Sequence, residues 1–449
     1  MCGTATVSPI WSCASGIAGH YTRPARMPAQ SDATVRRNFT LLALDGVFFF
    51  FGMTFISYEN IMPVMLRRLG ASHALIILLP VIVNIGLNLP SIFVANRVEG
   101  MRLKKPYVLK VAVAQRVPWL GVGIIMILLG AIAPHVVIAA VLLSAFITAS
   151  AGGFVVPAFF YLTAKTIPQR LRGRLFSVRS VGSYLLGMVG GVLVNRILAT
   201  VAFPLDYGIL FIVAFVLLML CFLVMVFVVE PPAATVKPRA PIRDYLGRLP
   251  ALLRANPSFT WFIVARMFFI NAFATTAYFP VHLVQEFGLP DAATGIFTLI
   301  TAGTFIVVNP VLGWLADRSG HKRNFVVANL AVGAGAILGL TSNYYPLSIL
   351  MIALAAVARS VRLLSGFPMT MDFCREHEVP TYIGIVGLFL APASLLSILT
   401  GVAAERFGLD ALFAIAVGLS IVSLGIFLFL VPEPRSGSRS PTSRSAAGG

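Results

Sequence analysis

Long runs of apolar residues recur along the chain, and their length constrains the fold more than any other feature. A helix that crosses a bilayer needs about 20 mostly apolar residues, and only helices and closed barrels satisfy their backbone polar groups in lipid. Hydrophobic residues make up 58% of the 449 residues, and charged residues only 11%. The sequence therefore predicts an all-α membrane protein. Its twelve predicted transmembrane spans cover residues 38–61, 73–97, 107–131, 136–165, 176–200, 206–229, 258–283, 292–316, 324–343, 347–371, 381–404 and 409–431.

The distribution of basic residues predicts the orientation of these spans. The net charge is +18, which on a soluble protein would indicate nucleic-acid binding. Here lysine and arginine concentrate in alternate loops, as they do in cytoplasmic loops of membrane proteins. We therefore predict a multi-pass membrane protein with both termini in the cytoplasm and no nucleic-acid partner. The basic loop residues are Arg36, Arg37, Arg97, Arg102, Lys104, Lys105, Arg170, Arg172, Arg174, Arg318, Lys322 and Arg323.

A segment rich in proline and basic residues, 230–257, separates two parts of similar length. We interpret it as a cytoplasmic linker between six-helix bundles at 36–229 and 258–432. Residues 1–35 and 433–449 are predicted to be disordered cytoplasmic tails.

The two halves repeat several residues in a nearly constant register, which predicts an internal duplication. The pairs in this register are Phe39-Thr40 with Phe259-Thr260, Phe48-Phe49 with Phe268-Phe269, Tyr58 with Tyr278, and Asn88 with Asn309. Outside this register, Pro157 in the fourth span corresponds to Pro368 in the tenth.

The loop after the eighth run combines a small residue, an acid–base pair, a glycine and a basic cluster. It resembles the signature of the major facilitator superfamily, roughly Gly-x-Leu-Ala-Asp-Arg-x-Gly-Arg-Lys, with His321 at the first basic position. The resemblance implies two pseudo-symmetric six-helix bundles, a bacterial inner-membrane location, and a loop that braces the halves as a gate. Gly313 is expected to allow close helix approach and Gly320 a tight turn. The gate-loop residues are Gly313, Asp317, Arg318, Gly320, Lys322 and Arg323.

Two further family motifs are incomplete in this chain. The first-half copy of the gate loop reads Asn96-Arg97-Val-Glu99-Gly100, so the motif's carboxylate is missing at Asn96. The fifth span resembles an antiporter signature at Gly182, Gly187 and 190–191, but it lacks the Gly-Pro pair. The lost proline argues against a multidrug efflux antiporter, and small residues at this spacing also serve helix packing.

Charged residues within the predicted spans are the candidate functional residues, because each costs about 2.5–3.5 kcal/mol at the bilayer centre. The resemblance places the first, fourth, seventh and tenth spans around a central cavity, and Arg266, Arg359 and Arg362 lie on the last two of these. One hypothesis is a positive site for an anionic solute, since guanidinium matches carboxylate or phosphate. Asp45 on the first span would neutralise one arginine or carry a coupling proton.

The competing hypothesis is that Asp45 and the arginines form a closed ion-pair network between helices. Arg116, on the third span, is expected to have a structural partner. Asn271 and Tyr278 could orient a ligand or hydrogen-bond neighbouring helices. Glu59, near the outer end of the first span, is expected to be an exposed rim charge.

The chain has neither metal-ligand spacing among its histidines nor a phosphate-binding loop. This predicts a non-enzymatic protein without a cofactor, and the resemblance to the major facilitator superfamily implies a monomeric secondary transporter that moves a small organic solute by alternating access. A proton or a sodium ion is the expected coupling ion. The alternatives are a non-transporting receptor or assembly protein on the same scaffold, a multidrug efflux antiporter, and a lipid translocator.

Overall fold

The computed structural model describes residues 31–99, 101–232, 252–374 and 379–433. In these ranges every regular element is a helix. The predicted tails and linker fall mostly outside them, at 1–30, 233–251 and 434–449. The α-helices are α1 (Asp32–Thr54), α2 (Met62–Arg68), α3 (His73–Glu99), α4 (Lys105–Leu129), α5 (Pro134–Thr166), α6 (Gln169–Thr200), α7 (Leu205–Val226), α8 (Pro257–Ala274), α9 (Tyr278–Glu286), α10 (Ala293–Ser319), α11 (Lys322–Thr341), α12 (Tyr345–Ser348), α13 (Leu350–Met371), α14 (Val379–Ala393), α15 (Ser397–Phe407) and α16 (Leu409–Phe429).

These helices build the all-α membrane architecture that the apolar runs predict. Eleven candidate spans in the described residues are long and apolar enough to cross a membrane. The remaining predicted span, the first, coincides with most of α1 and with the turns after it, and α2 begins one residue beyond its predicted end. Its helix α1 begins at Asp32, six residues before the apolar run, because the Ser31 side chain accepts a hydrogen bond from the Thr34 N–H and caps the helix.

The first and seventh spans change their helical geometry at corresponding positions. The first span is interrupted between Thr54 and Met62. The seventh passes through a 3-10 turn at Thr275–Ala277 before α9 begins at Tyr278. These positions correspond in the register of the internal repeat, so the interruptions are a structural trace of the predicted duplication.

Two glutamates that follow the last spans of the halves cap helices in equivalent ways. The Glu230 carboxylate accepts hydrogen bonds from the N–H groups of Lys104 and Lys105 at 2.7–2.9 Å. Glu433 accepts one from the Lys322 N–H at 3.2 Å. Both carboxylates therefore satisfy free donors at a helix N-terminus and complement its dipole. Glu230 begins the predicted linker, but it is part of the folded first half.

The two halves pack together on the side of the molecule away from the termini. We call the side that holds the start of α1 and the end of α16 the terminal face. The other side is the opposite face. One apolar core near the opposite face contains Ile56 and Leu66 of the first half together with Tyr278 and Phe297 of the second. Near the terminal face, Leu42 and Phe259 lie in separate cores, one in each half. The conformation is therefore closed at the opposite face.

The halves approach each other closely where α6 crosses α10 at Gly191 and Gly295. A Cβ atom on Gly191 would lie 2.8 Å from the Gly295 carbonyl oxygen, and one on Gly295 would overlap the Asn195 backbone. The Asn195 side chain also donates a hydrogen bond to the Ala292 carbonyl at 2.8 Å. The glycines that resemble an antiporter signature thus serve helix packing in this conformation.

Gly295→Ala should destabilise this closed conformation by about 1–3 kcal/mol, because its methyl group has to displace helix backbone. The matched control is Gly303→Ala on the same helix, where an added Cβ meets nothing within 4 Å. Thermal unfolding of the purified variants measures the effect. Equal midpoints for the two variants would contradict the tight crossing.

Candidate functional site

The central charged site is an ion pair between the two halves. Arg359 lies within α13, and its Nη1 donates to the Glu59 carboxylate at 2.6 Å. Glu59 lies in the interruption between α1 and α2. Their side chains are 28% and 22% exposed, so the pair is partly sheltered. The expectation that Glu59 is an exposed rim charge is wrong, since the interruption of the first span turns its carboxylate towards α13.

Two further arginines of the second half accompany this pair. Arg362 stands three residues after Arg359, and its guanidinium lies 4.8 Å from the Phe273 ring centre. Arg266 is 9% exposed, and its Nη1 donates to the Gly366 carbonyl at 3.2 Å. Arg362 exerts like-charge repulsion on Arg266. The structure therefore brings the three predicted arginines of the seventh and tenth spans into one region.

These arginines retain buried donors without a protein partner. The Nε atoms of Arg266, Arg359 and Arg362 are buried and make no hydrogen bond to the described residues. Glu59 is the one carboxylate with a salt bridge to any of the three in the described part of the chain. Three positive charges against one negative charge leave two unbalanced.

The space beside Arg362 is small in this conformation. A cavity of about 30 Å³ is lined by Tyr58, Glu59, Thr276, Arg362 and Ser394, among others. A volume of this order holds water but not an organic solute. This cavity can therefore hold an organic solute only if Glu59 or the surrounding helices move.

Asp45 lies in a different network, within the first half. Its carboxylate pairs with Arg179 of α6 at 3.2 Å and accepts a hydrogen bond from the Cys221 thiol at 2.9 Å. Arg179 also donates to the Leu42 carbonyl at 2.6 Å. In this structure Asp45 does not neutralise an arginine of the second half, because Arg179 occupies it.

Arg116 has structural partners on α4 and α7. It donates to the carbonyls of Ala112 and Leu218, both at 2.8 Å, and to the Cys221 sulfur at 3.3 Å. Cys221 therefore connects Arg116 with Asp45, and the chain of contacts joins the first, third, fifth and sixth spans.

The two polar candidates, Asn271 and Tyr278, also make helix-to-helix contacts. The Asn271 amide donates to the Met267 carbonyl at 2.7 Å and accepts from the Ser397 hydroxyl at 2.7 Å. The Tyr278 hydroxyl donates to the His73 carbonyl at 2.7 Å. Tyr278 thus helps to join the halves near the opposite face.

The gate loop lies at the terminal face. Gly320 has φ = 82° and ends α10 in a tight turn. Asp317 and Arg323 are exposed, and the Arg318 guanidinium lies 5.5 Å from the Trp314 ring centre. The expectation of close helix approach at Gly313 is wrong for this conformation, because a Cβ there would meet nothing within 4 Å. The halves are apart at this face, which leaves Gly313 without a neighbour.

The first-half copy of this loop lies outside the described residues in the side chains of 95–99 and in the whole of Gly100. His321, which replaces the motif's basic residue, is 8% exposed with its Nδ1 3.1 Å from the Ser365 hydroxyl. Among the described residues, no group of three or more His, Cys, Asp or Glu side chains could hold a metal ion.

Sequence reasoning missed Arg179 and the role of Glu230. Arg179 lies inside the predicted fifth span, 176–200, where its charge was a signal that could have found it. The role of Glu230 could have been found from a repeated sequence feature. A Glu-Pro pair follows the last span of each half, at Glu230 and at Glu433.

Asp45→Asn should destabilise the protein by about 3–5 kcal/mol, because it leaves the buried Arg179 without its counter-charge. The double variant Asp45→Asn/Arg179→Gln should recover part of the loss, and Asp32→Asn on the exposed start of α1 should have little effect. Denaturation midpoints of the purified proteins measure this. Wild-type stability of Asp45→Asn would contradict a structural role for the pair.

Comparison with known proteins agrees with this architecture. The family model described as Major Facilitator Superfamily matches residues 46–308 and 267–448. An uncharacterized transporter of Buchnera aphidicola is 27% identical over 145 residues, which are 32% of this chain and 36% of that protein. The chain spans about a third of the length of the curated relatives that it matches.

Solved structures share the fold at low sequence identity. A D-xylose–proton symporter superposes with a TM-score of 0.69 at 12% identity, over 90% of this chain and 99% of that one. The human organic anion transporter MFSD10 has a TM-score of 0.57 at 14% identity, over 88% and 99%. The chain belongs to the major facilitator superfamily and is a multi-pass membrane protein.

Proposed function

We propose that this protein is a secondary transporter of a small organic anion, which binds at Arg359, Arg362 and Arg266 between the two halves. The observation that carries the proposal is the unbalanced charge of this site. Its three guanidinium groups face one carboxylate, Glu59, and their buried Nε donors have no protein partner in the described residues.

Charge in a bilayer is costly, so the two unmatched arginines need a reason to persist. Each costs about 2.5–3.5 kcal/mol at the centre of a span, and intramembrane charges typically mark substrate or ion pathways. A carboxylate or a phosphate supplies the missing negative charge and accepts the free N–H donors in the fork geometry of guanidinium. A neutral sugar or a cationic drug would leave the charge unbalanced.

The fold accommodates solutes of this class in another protein. The human organic anion transporter MFSD10 shares the fold with this chain. At 14% identity the likeness concerns the fold alone, so the choice of an anion rests on the arginines of this chain.

The orientation of the protein belongs to the same proposal. The loops at the terminal face carry Arg102, Arg170, Arg174 and Arg323, and such loops are typically cytoplasmic. With the terminal face in the cytoplasm, the conformation described here is closed to the outside, and the solute exchanges with the cytoplasm. Rocking of the halves would then expose the same site to the other side.

Glu59 is the internal competitor of the solute in this scheme. Its carboxylate takes one position on Arg359 at 2.6 Å and contributes an attractive charge at Arg362. An arriving carboxylate has to compete for the same donors. Because Glu59 and Arg359 belong to different halves, displacement of Glu59 would also remove a contact that holds the halves in this conformation.

Arg362→Gln should lower uptake of the transported anion about tenfold or more, since a hydrogen bond to a charged group is worth about 1.5–3 kcal/mol. Proteoliposome uptake of labelled carboxylates and phosphate esters measures this, with D-xylose as a neutral solute and Arg406→Gln, an exposed residue, as the matched control. Uptake of neutral solutes alone would contradict the anion site, and anion binding without flux would indicate a receptor.

Imposing proton and sodium gradients in turn identifies the coupling ion.

Glu59→Gln should raise the apparent affinity for the anion about tenfold, because the variant loses the competing charge. Glu286→Gln, at an exposed glutamate of α9, should leave the affinity unchanged. Anion-dependent thermal stabilisation of the purified proteins provides the binding curve. An unchanged or weaker affinity in Glu59→Gln would show that Glu59 does not compete with the solute.

A further inference from the structure

A second candidate binding region lies at the terminal face, where the first, third and sixth spans meet. It is a groove of about 520 Å³ between the start of α1, the start of α4 and the end of α7. Much of its lining is apolar and open, with Leu103, Phe227 and Val229 exposed by 47%, 52% and 43%. Since these residues stand where the spans end, the groove lies at the boundary between hydrocarbon and lipid headgroups.

Two basic side chains, Arg37 and Lys105, line the same groove. The Arg37 Nη2 donates to the Phe227 carbonyl at 2.9 Å, and the Lys105 Nζ donates to the carbonyls of Val226 and Val228 at 2.5 and 2.8 Å. The C-terminal end of α7 therefore holds both cations in place. The Arg37 contact uses one of the five guanidinium N–H donors, which leaves others for a ligand.

The acidic residue of the groove, Glu230, is already neutralised. Its side chain is 2% exposed and pairs with the Lys165 Nζ at 2.8 Å. Its oxygens also accept the Lys104 and Lys105 backbone donors described above. Within the described ranges, no other carboxylate forms a salt bridge with Arg37 or Lys105, so two positive charges stand unbalanced beside an apolar surface.

We propose that this groove binds one anionic phospholipid of the surrounding bilayer, with its headgroup phosphate on Arg37 and Lys105 and an acyl chain along the apolar lining. Basic pockets at the ends of spans suit such headgroups. The linker that follows Glu230 is a poorer occupant, because Lys237, Arg239, Arg243 and Arg248 give it charge of the same sign. A water-soluble anion would leave the apolar lining uncovered.

Native mass spectrometry of the purified full chain tests this with phosphatidylglycerol and phosphatidylcholine of matched acyl chains. The wild-type protein should retain phosphatidylglycerol about tenfold more strongly. Arg37→Gln/Lys105→Gln should remove this preference. Arg36→Gln/Lys110→Gln, which deletes two exposed basic residues that do not line the groove, should keep it.

Two further measurements complete the test. One uses a variant that keeps both charges, and the other distinguishes a lipid headgroup from a water-soluble phosphate. Leu109→Trp fills the groove with both charges in place, and it should weaken phosphatidylglycerol retention. Glycerol phosphate should compete poorly, since it has no acyl chain. The proposal fails if the Arg37/Lys105 double variant retains the lipid as wild type does, if Leu109→Trp binds it unchanged, or if glycerol phosphate displaces it fully.

Discussion

The hydrocarbon interior of a bilayer supplies no water to a charged side chain, and this constraint shapes every charged contact inside the protein. A buried charge must have a counter-charge, hydrogen-bond partners or a ligand. The first half meets the requirement internally, because Arg179 pairs with Asp45 and Arg116 donates to carbonyls and to Cys221. In the second half, Arg359 pairs with Glu59 of the first half, and Arg266 and Arg362 form no salt bridge with a described residue.

This difference indicates different tasks for the two halves, although the sequence register predicts that they arose by duplication. The charges of the first half tie its own helices together. Those of the second half surround the central region, where the salt bridge found among the described residues, Arg359 with Glu59, crosses to the other half. A solute that engages the arginines therefore acts on the contact between the halves, which is where a rocking movement must begin.

Much of the fold could be predicted from the sequence, because the bilayer imposes a minimum length on each apolar run. The all-α class, the two halves and the family followed from runs of about 20 residues and from the loop at Gly313–Arg323. The partners of the charges could not be predicted in the same way. The pairing of Glu59 with Arg359 depends on a break in the first span, and that of Asp45 with Arg179 on how two helices face each other. Hydropathy reports neither.

The most direct measurement is an electron cryo-microscopy structure of the protein with its transported anion bound. We expect density for the anion between Arg359 and Arg362, with the Glu59 carboxylate withdrawn from Arg359. Density for the solute away from these arginines, with the Glu59–Arg359 pair intact, would contradict it.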